Sequence, residues 1–494
     1  MTSKSNLLSQ GIWLGMANSS NMLVAILSSV ILSRYFDKIE YGTYKQIIFV
    51  YNTFLVIFQA GLPSVFSFFL PRYSLPEGKY IMRKLNMMLF VLGLLFSVFL
   101  YLFSSSIADL LNNPELADGL KIFSLFPLFT LPTLGIEGLY VSLKNTKFIA
   151  FYQITTRLVM LCCIVLPIAL IDGASYKVAV IGWGIASAFA FFVALWAKNK
   201  PYKDFVAERV IGISKQIFRY SLPIMGSSIL LLLFNSVNQI VISRYCGVET
   251  FAEFSNGFLT LPFIPIFVAP FRQLLVPIFS KSSQVNEYDN AISEFNKGVV
   301  KLSIIVIPLI LFSMFFAKDI MAFLYGEQYR SSSVYFQINL FYNLFELFPI
   351  TVVLSSIGRT DVQFKIDVVC TAFIWGINLL LVDIGIISSI LVVAIFVVVN
   401  TCMRYVIPWL WMRRKQGLQK LVLAKTLKTA MIVVAHSGFL LFLVLIINRM
   451  LLEGLDCIVR LLADFFLFVI LLMTTSRFVK INYIDMFKVI RNSK

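Results

Sequence analysis

Stretches of about 20 mainly apolar residues, each long enough to cross a bilayer as a helix, follow one another along nearly the whole chain, and no other feature restricts the fold so strongly. About fourteen can be placed, centred near residues 20, 54, 95, 131, 160, 187, 230, 265, 307, 345, 373, 398, 436 and 465. Strands of a barrel would be about half as long and would alternate strictly. Composition agrees: with 59% hydrophobic residues, 48 Phe and only 14% charged residues among 494, too little polar surface is left to cover a soluble core. The expectation is an all-α integral membrane protein. Lys4 alone precedes the first stretch, and no small-residue cleavage site follows it, so this reads as an uncleaved first helix.

The chain also repeats itself. ILSRYFDKIEYGTYK, Ile31–Lys45, recurs without a gap as VISRYCGVETFAEFS, Val241–Ser255. Ser33, Arg34 and Tyr35 fall on Ser243, Arg244 and Tyr245, while Tyr41 and Tyr44 fall on Phe251 and Phe254. Further on, Ile107–Lys121 aligns with Ile320–Val334, and Lys144–Phe148 with Gly358–Val362, at nearly the same offset. Three landmarks in one order indicate a tandem duplication of roughly 210 residues. The predicted organisation is an N-terminal lobe of six helices (residues 1–210), a C-terminal lobe of helices seven to twelve (211–424), and two extra helices with a basic cytoplasmic tail (425–494). The polar segment Lys198–Arg219 marks the lobe boundary, and the Arg413–Lys428 linker precedes the extra pair. An even number of helices per repeat gives both lobes one orientation, related by a pseudo-two-fold axis along the membrane normal.

Charge tests that topology independently. With fourteen spans and a cytoplasmic N-terminus, most of the 42 Lys and Arg fall on the cytoplasmic side and the acids divide the other way, which is the positive-inside pattern. The net charge of +17 then serves orientation and anionic headgroups, and needs no nucleic acid. The six Cys have no metal spacing and read as packing residues. His436 is the single histidine, so no histidine metal site can be built, and no phosphate-binding loop of the G-x-x-x-x-G-K-[ST] type is present. Neither a metal nor a cofactor is expected.

What remains are ionisable groups at membrane depth, each costing about 2.5–3.5 kcal/mol at a helix centre. They are Arg157 in the fifth helix, Arg272 in the eighth, Arg404 in the twelfth, Glu137 in the fourth, Glu346 in the tenth and Asp464 in the tail. Either the arginines bind an anionic group, for which guanidinium is a bidentate partner, or they pair with the acids or snorkel to headgroups. Glu137, Glu346 and Asp464 are candidates for coupling or gating. Amides gather where a lumen would be: Asn18 and Asn21 in the first helix, Asn235 and Asn238 in its repeat partner. Such groups suit sugar hydroxyls, and helix-to-helix hydrogen bonds would use them too. Breaks at Gly61-Leu62-Pro63, at Pro262, Pro265 and Pro270, and at Pro308 place irregular backbone where neighbours or a cavity must satisfy it.

The SRYF-x4-YGTY pattern of Ser33–Tyr44, Gly61-Leu62-Pro63, LYGEQYR at Leu324–Arg330 and GRTD at Gly358–Asp361 together resemble the polysaccharide-biosynthesis flippases. These are the Wzx-type transporters of the multidrug/oligosaccharidyl-lipid/polysaccharide exporter superfamily. The resemblance spans essentially the whole chain. It implies two six-helix lobes in a V-shaped alternating-access arrangement plus two C-terminal helices, in a bacterial inner membrane with both termini cytoplasmic. It implies a substrate, an undecaprenyl-diphosphate-linked oligosaccharide such as an O-antigen repeat unit, moved from the cytoplasmic to the periplasmic leaflet without ATP. A proton or sodium gradient would reset the lobes, and a polysaccharide polymerase is a candidate partner. Arg272 is the best match to the basic residue that the family places in this helix.

Related peptidoglycan-precursor flippases carry charges in the first two helices, and drug exporters an acidic residue in the early helices; neither Asn18–Asn21 nor Tyr51–Gly61 holds one. Two other readings stay open: a cation-coupled exporter of a small amphiphile or drug, and a membrane glycosyltransferase or polymerase, which the short outer loops disfavour.

Overall fold

Among the described residues, all regular secondary structure in the computed structural model is helical. The structure describes residues 2–143, 145–414, 418–451 and 457–476, without the side chains of 2–12, 14, 16, 18, 19, 450 and 451. Asn18, Lys144 of one repeat landmark, Lys415 of the basic linker and the tail from 477 onward therefore lie outside the described residues. Among those described, eleven helices are long and apolar enough to cross a membrane, or thirteen if each of two bent pairs is one span. The expected fourteenth span is the first helix, of which the described apolar part is Ser20–Tyr35, so the described residues leave the count of fourteen open. The chain is a multi-pass membrane protein, and it divides into two compact units, Met1–Ala252 and Glu253–Lys494.

In the first unit, α1 (Thr2–Tyr35) and α2 (Lys38–Phe58) are separated by Asp37, whose carboxylate accepts from the Glu40 N–H at 2.8 Å and caps α2. The Gly61-Leu62-Pro63 break is present: α2 and α3 (Leu62–Phe69) bend by 49°. Gly61 is required there, because its φ is +67° and a Cβ would stand 2.6 Å from the Ser221 carbonyl oxygen. Next comes α4 (Leu75–Leu110), started by Glu77, whose Oε2 accepts from the Ser74 N–H and hydroxyl at 3.0 and 2.8 Å.

The fourth span is not one helix. It runs α5 (Glu115–Phe123), α6 (Phe126–Thr130), a 3-10 turn at Leu131–Thr133, then α7 (Ile136–Ser142). Gly135, at φ +82°, begins α7, and a Cβ there would sit 2.3 Å from the Phe66 ring. After it come α8 (Thr146–Leu170) and α9 (Tyr176–Asn199).

Lys198 corrects the sequence reading. Instead of opening a polar loop, it is the penultimate residue of α9 and is fully buried. Its ammonium donates to the carbonyls of Pro132 (2.8 Å) and Leu134 (2.5 Å) and to Asn86 Oδ1 (2.9 Å), and lies 4.6 Å from the Phe66 ring centre. The break in the fourth span frees carbonyls from the helical ladder, and a lysine reached from α9 satisfies them. Around this pin packs a core of Leu62, Val65, Phe66, Leu85, Leu139 and Ile149.

The unit closes with α10 (Ile213–Cys246), the first helix of the second repeat. A buried chain holds its C-terminal end: Gln46 Nε2 donates to Ser243 Oγ at 2.6 Å, and Asn113 Nδ2 donates to Gln46 Oε1 and Thr43 Oγ1 at 2.6 and 2.9 Å. Arg244 donates to the Leu110 carbonyl at 2.7 Å, covering the end of α4. Ser33, the matching residue in the first copy, donates to the Val30 carbonyl at 3.0 Å. These bonds group α10 with the first compact unit, whereas the sequence reading starts the second lobe at residue 211.

The second unit follows α11 (Val248–Gly257), within which the boundary falls. It contains α12 (Phe263–Val285), α13 (Asp289–Phe315), α14 (Ala317–Tyr325), α15 (Ser333–Phe345), α16 (Ile350–Ser356), α17 (Thr360–Asp383), α18 (Ser389–Thr401), a π-turn at Cys402–Val406, and α19 (Ile407–Arg413). The last helices are α20 (Ala424–Leu451) and α21 (Cys457–Thr475). Asn296, buried on α13, seats α20: its Oδ1 accepts from the Thr426 hydroxyl at 2.6 Å and the Leu423 N–H at 3.0 Å. Arg460 on α21 donates to Asp319 Oδ1 at 3.2 Å.

Replacing Lys198 with Met keeps most of its volume and removes every donor. The Lys198→Met protein should lose about 3 kcal/mol or more of stability, since several carbonyls are orphaned at once. Lys203→Met, at an exposed site, should be neutral. Thermal unfolding of both variants in detergent checks this.

Candidate functional site

The first unit holds a cavity of about 330 Å³ at the break in the fourth span. Arg157 enters it from α8, where Gln153, one turn earlier on the same face, lies beside it. Arg157 Nε donates to Asn21 Oδ1 at 2.8 Å, and Asn21 Nδ2 donates to Gln153 Oε1 at 3.0 Å. The chain Arg157–Asn21–Gln153 thereby ties α1 to α8 and fixes the guanidinium. Glu137, in the first turn of α7, lines the same cavity. Its position follows from Gly135: the left-handed residue turns the chain so that α7 restarts at the cavity wall. Arg157 and Glu137 share the cavity without an ion pair between them among the described residues. Trp183 and Tyr152 supply aromatic walls.

In the second unit, Arg272 on α12 faces Glu346, which follows α15 directly. Arg272 Nη2 and Glu346 Oε2 are 3.6 Å apart, an ion pair longer than a direct hydrogen bond. Arg272 Nε is buried without an acceptor among the described residues. Glu346 precedes the bend of 42° between the 327–345 and 350–356 segments, so both membrane glutamates stand at a break in their span. Arg404 lies in the π-turn, an insertion frequent at functional sites. Its Nε donates to Asn400 Oδ1 at 3.0 Å, and it interacts electrostatically with Glu346 and Asp367. The hydroxyls of Tyr405 and Tyr342 are 3.5 Å apart beside this group.

Other expected residues stand elsewhere. Asn238 is buried on α10 with Oδ1 unpartnered among the described residues, and Asn235 is exposed; neither lines the cavity of the first unit. Asp464 is buried between the tail helices and accepts a short hydrogen bond from Asn448. His436 Nε2 meets the Thr475 hydroxyl at 2.9 Å, linking α20 and α21.

Sequence reasoning missed Gln153, Tyr342, Tyr405 and Asp367. A signal existed for the first two, which lie four residues before Arg157 and Glu346 and so share their helix faces.

A family model described as polysaccharide biosynthesis protein matches residues 7–283, more than half of the chain. The chain belongs to that family. This family member is 23% identical over 287 residues to the lipopolysaccharide biosynthesis protein WzxC of Escherichia coli (strain K12), a match covering 56% of each chain. Its fold is that of solved membrane transporters. The lipid II flippase MurJ in an inward closed conformation superposes with a TM-score of 0.66 at 15% identity, over 95% of this chain and 99% of that one. An inward-facing transporter of the multidrug resistance MATE family gives 0.63 at 12% identity, over 84% and 99%. A Pyrococcus furiosus transporter described by the reverse polarity of its binding pocket gives 0.56 at 11% identity, over 85% and 96%.

Removing one member of the Arg272–Glu346 pair should cost more than removing both, because a lone charge at membrane depth is the expensive species. The pair is partly exposed, so the expected loss for Glu346→Leu is about 1 kcal/mol. Arg272→Met combined with Glu346→Leu should recover most of it. Thermal unfolding across the double-mutant cycle is the measurement.

Proposed function

We propose that this protein is a flippase for a lipid-linked oligosaccharide, carrying an undecaprenyl-diphosphate-linked repeat unit of a surface polysaccharide across the bacterial inner membrane from the cytoplasmic to the periplasmic leaflet. The observation that carries the reading is Arg272: a guanidinium at membrane depth with a long ion pair and a buried N–H lacking an acceptor, in a member of the polysaccharide biosynthesis family. An anion that approaches such a group gains a charge-assisted hydrogen bond without first breaking a good one.

A diphosphate in hydrocarbon is prohibitive unless its charge is met. Arg272, with Arg404 nearby, supplies positive charge at membrane depth, while Arg157 in the other unit shares its cavity with Glu137. Glu346 holds Arg272 in place between substrates and releases it to the diphosphate. Glu137 and Glu346, each at a broken span, are the groups through which a proton or sodium gradient would couple. The two repeats, residues 1–210 and 211–424, would act as the lobes of an alternating-access cycle, with the lipid tail left in the bilayer and the termini cytoplasmic. A polysaccharide polymerase is the natural consumer of the product.

A deletion strain complemented with wild type, Arg272→Ala or Arg272→Lys tests this. Arg272→Ala should abolish surface polysaccharide at normal protein levels and leave carrier-linked oligosaccharide accumulating on the inner leaflet; Arg272→Lys should restore part of the export. Normal export by both variants would refute the cationic diphosphate site. Altered drug tolerance with intact polysaccharide would instead favour a small-amphiphile exporter.

A further inference from the structure

We infer that the cavity of the first unit is a subsite for one sugar ring, held between Glu137 and Arg157 and selected by Gln153. The inference deepens the flippase reading and rests on it. Size is the first argument. At about 330 Å³ the cavity is at the low end of small-molecule sites, which span about 300–1,000 Å³. A single pyranose fits.

The polarity of the lining is the second. Thr130, Thr133, Thr156 and Ser187 all donate their hydroxyl hydrogens to carbonyls of their own segment, at 3.0, 2.7, 2.8 and 2.7 Å. The oxygens of Thr133, Thr156 and Ser187 are therefore left as acceptors, while Thr130 also meets the Tyr51 hydroxyl. The Glu137 carboxylate adds the strongest acceptor and has no ion pair or hydrogen bond among the described residues. Donors stand beside it. Arg157 spends Nε on Asn21 and Nη1 on the Met160 sulfur at 3.4 Å, which leaves Nη2 without an acceptor among the described residues. Gln153 spends its oxygen on Asn21 and keeps its amide N–H groups.

A ligand that satisfies this wall must both donate and accept. An anion alone would be opposed by Glu137, and a cation alone by Arg157. A neutral polyol answers both, giving hydroxyl hydrogens to the carboxylate and threonines and taking hydrogen bonds from the guanidinium and amide. Trp183, Tyr152 and Phe126 offer apolar ring surface to the C–H face of such a ring. The side chain that reads the ring most directly is Gln153, because the bond to Asn21 fixes its amide. Replacing it changes what is recognised without removing a charge.

The test uses the full-length protein in lipid nanodiscs, free of glycoside detergents, with the methyl glycosides of glucose, galactose, N-acetylglucosamine and glucuronic acid as probes. Saturation-transfer NMR should detect at least one of them bound. Loss of one hydrogen bond predicts weakening of about fivefold or more in Gln153→Ala, and Ala190→Trp, which fills the cavity, should abolish the signal while thermal unfolding shows the fold intact. Lys203→Met, at an exposed site, should leave the signal unchanged, and because the readout is glycoside binding and not export, a failed export reading and a failed sugar subsite are told apart. No transfer from any glycoside, or transfer that survives both cavity variants, would overturn the inference.

Discussion

A carbonyl freed from a helix inside a bilayer has no water to turn to, and the first unit is arranged around one answer to that constraint. The fourth span breaks at Leu131–Gly135, and the ammonium of Lys198 meets the carbonyls of Pro132 and Leu134. With those carbonyls satisfied, the irregular turn costs little, Gly135 can adopt its left-handed conformation against Phe66, and α7 restarts with Glu137 at the cavity wall. Packing follows the same logic, since Phe66 lies against the lysine and belongs to the buried core. A cationic group thus serves a structural end a short way from charges that remain open to a ligand.

The second unit treats its charges differently. Arg272 and Glu346 stand too far apart for a direct hydrogen bond, and Arg404 sits on a π-turn whose extra residue re-aims the side chains around it. Tight mutual pairing would lower the energy of this group and also occupy it. The pair stays long, and Arg272 Nε is without an acceptor among the described residues. Lys198 is the opposite case, its ammonium met by three acceptors at 2.5–2.9 Å.

Much of this was legible in the sequence. The apolar segments foretold the helices, and Gly61-Leu62-Pro63 foretold a bend. The membrane-depth arginines and glutamates were found as single residues; that Arg157 shares a cavity with Glu137 and Arg272 pairs with Glu346 was not readable from their spacing. Lys198 was not legible, because a lysine at the end of an apolar run reads as interfacial unless one knows that a broken helix lies beside it. Nor could periodicity show that Asn21 would choose Gln153 and Arg157 across α1 and α8, while Asn235 on the partner helix stays exposed. Duplication predicts equivalent places for residues and leaves their partners undetermined.

The Asn296 side chain on α13 carries a consequence for biosynthesis. Its amide oxygen takes hydrogen bonds from Leu423 and Thr426, groups that leave the ribosome long after α13 has been inserted. Until they arrive, the amide oxygen lacks the partners that seat α20. The second unit is therefore left unfinished through most of its own synthesis, and a chain that stops before α20 would hold α13 without the contacts that close it.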